Sequence, residues 1–97
     1  METKIPKTKK EAFAQLDEML SEKDKKGLAN GEAIEFHFSL GMWIRNNWIY
    51  EQAEEDVKHL AEMFGDNPDF FHADDLSGKI IESYQRHLRG MRKKMHG

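Results

Sequence analysis

The stretch that decides the fold is FHFSLGMWIRNNW, Phe36–Trp48, in which one arginine and two asparagines interrupt the most apolar part of the chain. Its apolar residues recur at spacings of three and four, which predicts a helix with a broad apolar face, over about residues 32–47. Such a face is typical of a helix in the middle of a core. Gly41 lies inside this helix, where glycine costs roughly 1 kcal/mol relative to alanine. We therefore expect a neighbouring helix or a bulky ring to approach closely there.

Helical periodicity also dominates the rest of the chain. Thr8 and Ser21 are typical helix N-caps, and Gly27 is a typical stop for the segment that Ser21 begins. The predicted helices cover about 8–20, 32–47, 51–64 and the segment from about 73, with one short helical turn at 22–26. The loop before the last helix contains Phe70 and Phe71, which we expect to pack down because both are strongly apolar. The fold class is therefore predicted to be all-α, a compact bundle of about four main helices plus a short helical turn.

The chain has 97 residues, of which 38% are hydrophobic, enough for one core and too few for two. We predict a single domain over 1–97, ordered over about 8–91, with basic, frayed ends at 1–7 and 92–97. The predicted core contains Phe13, Leu16, Ile34, Phe38, Leu40, Trp43, Val57, Leu60, Ile80, Ile81 and Tyr84.

Composition narrows the class of protein. The net charge is −3, but the body is acidic and both ends are basic. There is no cysteine, which excludes disulfides and thiolate metal sites and is compatible with the cytosol. No apolar run in the sequence approaches the roughly 20 residues of a membrane span, and the N-terminal sequence lacks a signal-peptide core. We therefore expect a soluble cytoplasmic protein with no membrane partner.

Signatures of catalysis and metal binding are missing from the sequence. It has no cysteine nucleophile, no GxSxG and no phosphate-binding glycine loop. His72 with Asp74 and Asp75 would offer one nitrogen and two oxygens to a metal, but this spacing matches no firm rule, and a role as cap or loop anchor is favoured. We predict no enzyme activity, no catalytic residue, no metal site and no cofactor.

The polar residues of the opening stretch have two interpretations. Arg45 near the end of the central helix could pair with Asp74 or Asp75 at the start of the last helix and so connect the two helix ends. An asparagine after Arg45 could bond the exposed carbonyls of the central helix. The same residues, with His37 as a further member, could instead line a binding cleft beside Trp43 and Trp48. The candidate binding residues are Arg45, Asn46, Asn47, Trp48, Tyr50, His72, Asp74 and Asp75.

Two segments, EFHFSLGMWIRNNW and the later FHADDLSGKIIESYQRHL, together resemble a family of small bacterial domains of unknown function, the DUF6794-like group. The resemblance covers about residues 13–88. It falls on His37, Phe38, Leu40, Gly41, Trp43, Ile44, Arg45, Asn46, Asn47, Trp48, His72, Asp74, Asp75, Ser77, Tyr84 and Leu88. Ala73 stands where the family has proline, which leaves the start of the last helix less fixed. The resemblance implies a common helical domain and brings no activity or substrate with it.

Taken together, these features predict a non-enzymatic interaction module of the bacterial cytoplasm that binds an unknown protein partner, with self-association as a further option. The polar cluster would serve both as a staple of the fold and as a binding surface. The first alternative is a small-ligand or metal-binding domain that uses the same cluster. The second, less favoured, is nucleic-acid binding through the basic termini, by release of counterions.

Overall fold

The structure is a computed structural model that describes residues 5–31, 34–50 and 52–96, with side chains described except at 34–36 and 91–96. Its elements are α1 (Lys9–Met19), α2 (Glu22–Asn30), α3 (Ile34–Ile44), a π-helical segment (Arg45–Ile49), α4 (Glu54–Met63) and α5 (Ala73–His96). The described ranges contain no strand, and the all-α prediction is confirmed. None of the helices in these ranges is long and apolar enough to cross a membrane.

Sequence capping signals account for several helix ends. The hydroxyl of Thr8 accepts a hydrogen bond from the amide of Glu11 at 3.1 Å, and Ser21 accepts one from the amide of Asp24 at the same distance. Both N-caps were predicted. Gly65 ends α4 with a φ of 78°, a left-handed conformation that glycine adopts without a steric penalty.

The second helix is longer than predicted. Gly27 does not stop it, and α2 continues to Asn30 as a full nine-residue helix. The reason is tertiary: Leu28 and Ala29 are buried, and side chains of α5 bond their carbonyl groups. Gln85 Nε2 donates to the Leu28 carbonyl at 3.0 Å, and Arg89 Nε donates to the Ala29 carbonyl at 2.8 Å. The extra helical turn is therefore stabilised by groups more than 50 residues away in sequence.

One cluster of buried apolar side chains forms the core. Helix α5 lies against α2 and α3 and supplies a continuous buried stripe. Of the predicted core residues, those that are buried are Leu16, Leu40, Val57, Leu60, Ile80, Ile81 and Tyr84. Phe13 and Trp43 are partly buried and pack against the cluster. The side chain of Ile34 lies outside the described ones.

Phe38 was wrongly placed in the core, since 73% of it is exposed. Helix α3 buries Leu40, Gly41 and Ile44. On a helix with 3.6 residues per turn, the middle of that buried face lies roughly a third of a turn away from Phe38. The broad apolar surface of α3 is therefore only partly covered by the rest of the protein.

The loop before α5 and the two ends of the chain complete the comparison with the sequence predictions. Phe71 packs against the core, but Phe70 is 84% exposed, so only one of the two loop phenylalanines packs down. Helix α5 begins at Ala73 as expected, and its helical backbone extends through Gly90 to His96. At the other end, Ile5 packs against the core. The frayed ends at 1–7 and 92–97 lie partly outside the described residues and stay a prediction.

Candidate functional site

An open groove of about 270 Å³ runs between α3 and α5. It is lined by His37, Phe38, Gly41, Arg45, Asp74, Ser77, Gly78 and Ile81. These eight residues define what we call the α3–α5 groove. One wall carries an exposed aromatic ring, and the other carries the polar first turns of α5.

The guanidinium of Arg45 occupies a defined position in this groove. Its Nη1 donates to Ser77 Oγ at 3.1 Å, and its Nε lies 3.4 Å from Asp74 Oδ1. The Ser77 hydroxyl donates in turn to the backbone carbonyl of Asp74 at 3.0 Å. Ser77 is buried, and only 18% of the Arg45 side chain is exposed. The predicted meeting of Arg45 with the start of the last helix is confirmed.

Gly41 allows the guanidinium to lie there. A Cβ at this position would come within 3.2 Å of Arg45 Nη1 and 3.7 Å of Ile81 Cδ1. Helix α5 therefore approaches α3 closely at this glycine, as the sequence predicted, and the guanidinium occupies the remaining space.

The ion pair is weaker than a buried staple. The Asp74 side chain is 85% exposed, and a pair with one exposed partner is worth about 0–1 kcal/mol. Asp75 is exposed as well and makes no contact with Arg45 within the described part of the chain, so of the two candidate carboxylates Asp74 is the one that pairs with Arg45. Within the described part of the chain, Arg45 donates to Ser77 and its Nε faces Asp74, so these contacts use at most two of the five N–H groups of the guanidinium.

The asparagines follow Arg45 in a π-helical turn. The amide of Tyr50 bonds the carbonyl of Arg45 at 2.7 Å, a five-residue spacing that makes the turn wider than an α-turn. Asn47 Nδ2 donates to the Trp43 carbonyl at 2.8 Å, which fulfils the predicted role of an asparagine at this helix end. Asn46 is exposed.

Trp48 is fully buried, and this corrects its proposed place on a binding surface. Its indole Nε1 donates to Gln15 Oε1 at 3.2 Å, and its ring meets Trp43 edge-on at 5.5 Å. The wide π turn brings both Trp48 and Ile49 onto the core side, which leaves Tyr50 as the exposed ring of this segment. The expectation that at least one of these rings is exposed therefore holds for Tyr50.

The structure thus brings together only part of the predicted cluster. Arg45 and Asp74 line the groove, whereas the other six candidates, Asn46, Asn47, Trp48, Tyr50, His72 and Asp75, do not. No group of three or more His, Asp or Glu side chains suited to a metal ion occurs among the residues that the structure describes.

Sequence reasoning did not assign Phe38, Ser77 and Gly78 to a site on their own chemistry. Ser77 had a readable signal, because it continues the inward stripe of Ile81, Tyr84 and Leu88 at helical spacing. Gly78 had none, since glycine inside a helix gives no direction by itself.

These features define a small all-α domain with a groove at the contact between α3 and α5 that has both polar and apolar lining residues. The chain belongs to the family described as "Domain of unknown function (DUF6794)", whose model matches residues 5–88. The family resemblance stated from the sequence is confirmed. No curated protein and no solved structure matches the chain.

Proposed function

We propose that this protein is a non-enzymatic interaction domain that binds a partner protein through the α3–α5 groove. The observation that carries the proposal is the exposure of Phe38 beside the fixed guanidinium of Arg45. Aromatic residues and arginine contribute most of the binding energy at protein interfaces when a partner desolvates them. When a partner covers a phenylalanine that was exposed to water, the free energy of the system falls by roughly 25 cal/mol per Å² of apolar area buried.

The apolar surface continues beyond the groove. Met42 lies one helical turn after Phe38 on α3, and its side chain is about half exposed. Methionine adapts its shape readily to a partner surface. Phe38 and Met42 together therefore give the groove an apolar rim suited to a protein side chain.

The hydrogen bonds of the groove favour binding over catalysis. The Ser77 hydroxyl donates to a backbone carbonyl and accepts from Arg45, so it is not oriented towards a general base. A small-ligand or metal-binding role of the same cluster is the second candidate.

The domain is further proposed to work in the bacterial cytoplasm. This proposal is supported by the bacterial membership that the family resemblance implies and by the absence of cysteine from the sequence. Cell fractionation of the native host, with detection of the untagged protein, tests it.

Photo-crosslinking tests the proposed function. Benzoylphenylalanine would replace Phe38 in one variant and Phe70 in another, because both rings are largely exposed but only Phe38 lines the groove. We expect a specific crosslinked protein with the position 38 variant and none with the position 70 variant. Phe38→Ser should abolish co-purification of that protein, whereas Phe70→Ser should leave it unchanged at an equal melting temperature. Equal capture from both positions, or capture that survives Phe38→Ser, would reject the proposal.

A further inference from the structure

We infer that the α3–α5 groove accepts a segment of the partner protein that presents a carboxylate to Arg45 and an apolar side chain to Phe38. This inference rests on the proposed function and specifies the chemistry of the partner. It follows from three properties of the groove: N–H groups of Arg45 that no contact in the described part of the chain uses, a carboxylate of Asp74 that can be displaced, and open space over α5.

The first property is the hydrogen-bonding capacity of Arg45. The Arg45 side chain is largely withdrawn from solvent and lines the groove, and contacts within the described part of the chain use at most two of the five N–H groups of its guanidinium. A charged group in such a position is stabilised by further acceptors. A carboxylate supplies two oxygens that match the fork of a guanidinium.

The second property is the weak hold of the protein on Asp74. Its carboxylate is 85% exposed, and the recorded ion pair with Arg45 is a single approach of 3.4 Å. Rotation of this side chain into water therefore costs little. An incoming acidic residue can therefore replace the Asp74 carboxylate beside Arg45. It carries the same charge and can offer both of its oxygens to the guanidinium.

Local charge distinguishes a carboxylate from other ligands. Arg45 faces Asp74 across the groove, so a doubly charged phosphate would bring two further negative charges to a single cation that already has one carboxylate beside it. A lysine or arginine from the partner would have to lie beside the Arg45 guanidinium, and the two positive charges would repel each other. A single carboxylate that replaces Asp74 leaves the charge of the guanidinium's immediate surroundings unchanged.

The third property is the open surface of α5 at Gly78. A Cβ at this position would meet nothing within 4 Å, so packing inside the protein does not require glycine there. Glycine nevertheless destabilises a helix interior relative to alanine. Because Gly78 lines the groove, its missing side chain lets a partner backbone approach α5 while its apolar side chain covers Phe38.

Peptide selection on the full chain tests this inference. A library of random twelve-residue peptides would be selected on the wild type, and one enriched peptide would be synthesised with its acidic residue intact or changed to the amide. We expect enriched sequences with Asp or Glu next to an aliphatic or aromatic residue. The acidic form should bind at least tenfold more tightly than the amide, and its titration should shift the backbone amide signals of the groove.

Three substitutions sharpen the test. Asp74→Asn removes the competing carboxylate and should tighten binding of the acidic peptide about three- to tenfold. Asp75→Asn is the matched control, because Asp75 is an exposed neighbour that does not line the groove, and it should change binding less than twofold. Arg45→Met should remove the preference for the acid over the amide. Asp74 is exposed, so the first substitution is informative even if Arg45→Met lowers the stability.

Several results would overturn the inference. Enrichment of basic peptides with weaker binding to Asp74→Asn would mean that the groove recognises a cation. Groove binding without preference for the acid would reject the carboxylate but leave the proposed function standing. Failure to enrich any peptide that depends on Phe38 and Arg45 would also reject the inference, while the crosslinking result at position 38 decides the proposed function independently.

Discussion

At the scale of single residues, Tyr84 provides the most strongly shifted titration in the core. Its ring is fully buried, and its hydroxyl donates to Asp17 Oδ1 at 2.6 Å across 67 residues of sequence. Burial raises the pKa of Tyr84 well above the ordinary tyrosine value, and the bond to the Asp17 carboxylate raises it further. The neutral hydroxyl is therefore favoured in the folded protein.

Removal of this hydroxyl should change both stability and its pH dependence. Tyr84→Phe is expected to cost about 1–2 kcal/mol at neutral pH, because a charge-assisted bond is lost while the partly exposed Asp17 regains water. The unfolded chain loses the tyrosine proton near pH 10 and the folded chain does not, so this part of the stability falls as pH rises above about 10. Urea unfolding between pH 7 and 11 should show a smaller decline for Tyr84→Phe than for the wild type.

Tyr50→Phe is the matched control, because the Tyr50 ring is about half exposed. It should reproduce the wild-type free energy of unfolding within about 0.5 kcal/mol at pH 7. Identical declines above pH 10 for the wild type and Tyr84→Phe would contradict the role assigned to the buried hydroxyl.

Some contacts at the residue scale could be predicted because local chemistry determines them. Arg45 and Asp74 lie at helix ends with opposite charges, and their meeting could be predicted from position and charge together. The exposure of Phe38 could not, because α3 has overlapping apolar faces and only the docking of α5 selects which one is buried. Single-sequence periodicity finds the apolar surface of a helix but not the part of it that stays in water.

At the scale of elements, α5 carries two glycines in its interior whose missing side chains are not required by packing. A Cβ at Gly78 or Gly90 would meet nothing within 4 Å. Gly41 in α3 is different, because its Cβ would crowd the Arg45 guanidinium. The same substitution at these three positions therefore separates helix propensity from packing and from binding.

Gly78→Ala and Gly90→Ala should each raise the free energy of unfolding by roughly 1 kcal/mol, because alanine is the better helix former. Only Gly78 lines the groove, so only Gly78→Ala should also weaken binding of the crosslinked partner or the selected peptide. Urea unfolding and the binding titration measure the two effects separately. Stabilisation by both variants with unchanged binding would show that the partner does not approach α5 at Gly78.

Gly41→Ala completes the comparison. Its gain in helix propensity should be offset by displacement of the guanidinium, whose Nη1 would lie only 3.2 Å from the new Cβ. In an Arg45→Ala background that conflict disappears, and Gly41→Ala should then stabilise by close to the full propensity difference, roughly 1 kcal/mol.

Element boundaries could be predicted where caps determine them and not where distant groups do. Thr8 and Ser21 start their helices as their sequences indicate. The passage of α2 through Gly27 depends on donors from α5, and the π turn depends on the packing of Trp48 and Ile49. Neither dependence can be recognised in a window of local sequence.

At the scale of the whole molecule, α5 is the element that connects the others. It packs against α2 and α3, closes the end of α2 through Gln85 and Arg89, and forms one wall of the groove. Arg89 lies just before the basic end at 92–97, and its Nε donates to the Ala29 carbonyl. Basic residues near the end of α5 therefore also stabilise the fold.

Two truncations distinguish these roles. Deletion of residues 92–97 should leave Tm within about 2 °C of the full chain, because it keeps the buried stripe of α5 through Leu88 and the bond from Arg89 to Ala29. Deletion of residues 89–97 removes the bond to Ala29 and should cost about 1 kcal/mol, which corresponds to roughly 4–8 °C in a domain of this size. Arg89→Met in the full chain should account for most of that loss.

The same pair of truncations decides how nucleic-acid binding can be tested. Loss of binding on deletion of residues 89–97 would be ambiguous, since that deletion also weakens the fold. The deletion of 92–97 removes one arginine and two lysines and keeps Arg89. If these residues bind nucleic acid, the deletion should lower the affinity for it. The deletion should also make the dependence of log affinity on log salt concentration less steep. Because the interaction that we propose depends on Phe38 and Arg45, we expect this truncation to bind the protein partner as well as the full chain does. Loss of partner binding on deletion of 92–97 would indicate that the binding surface lies at the end of α5 and not in the groove.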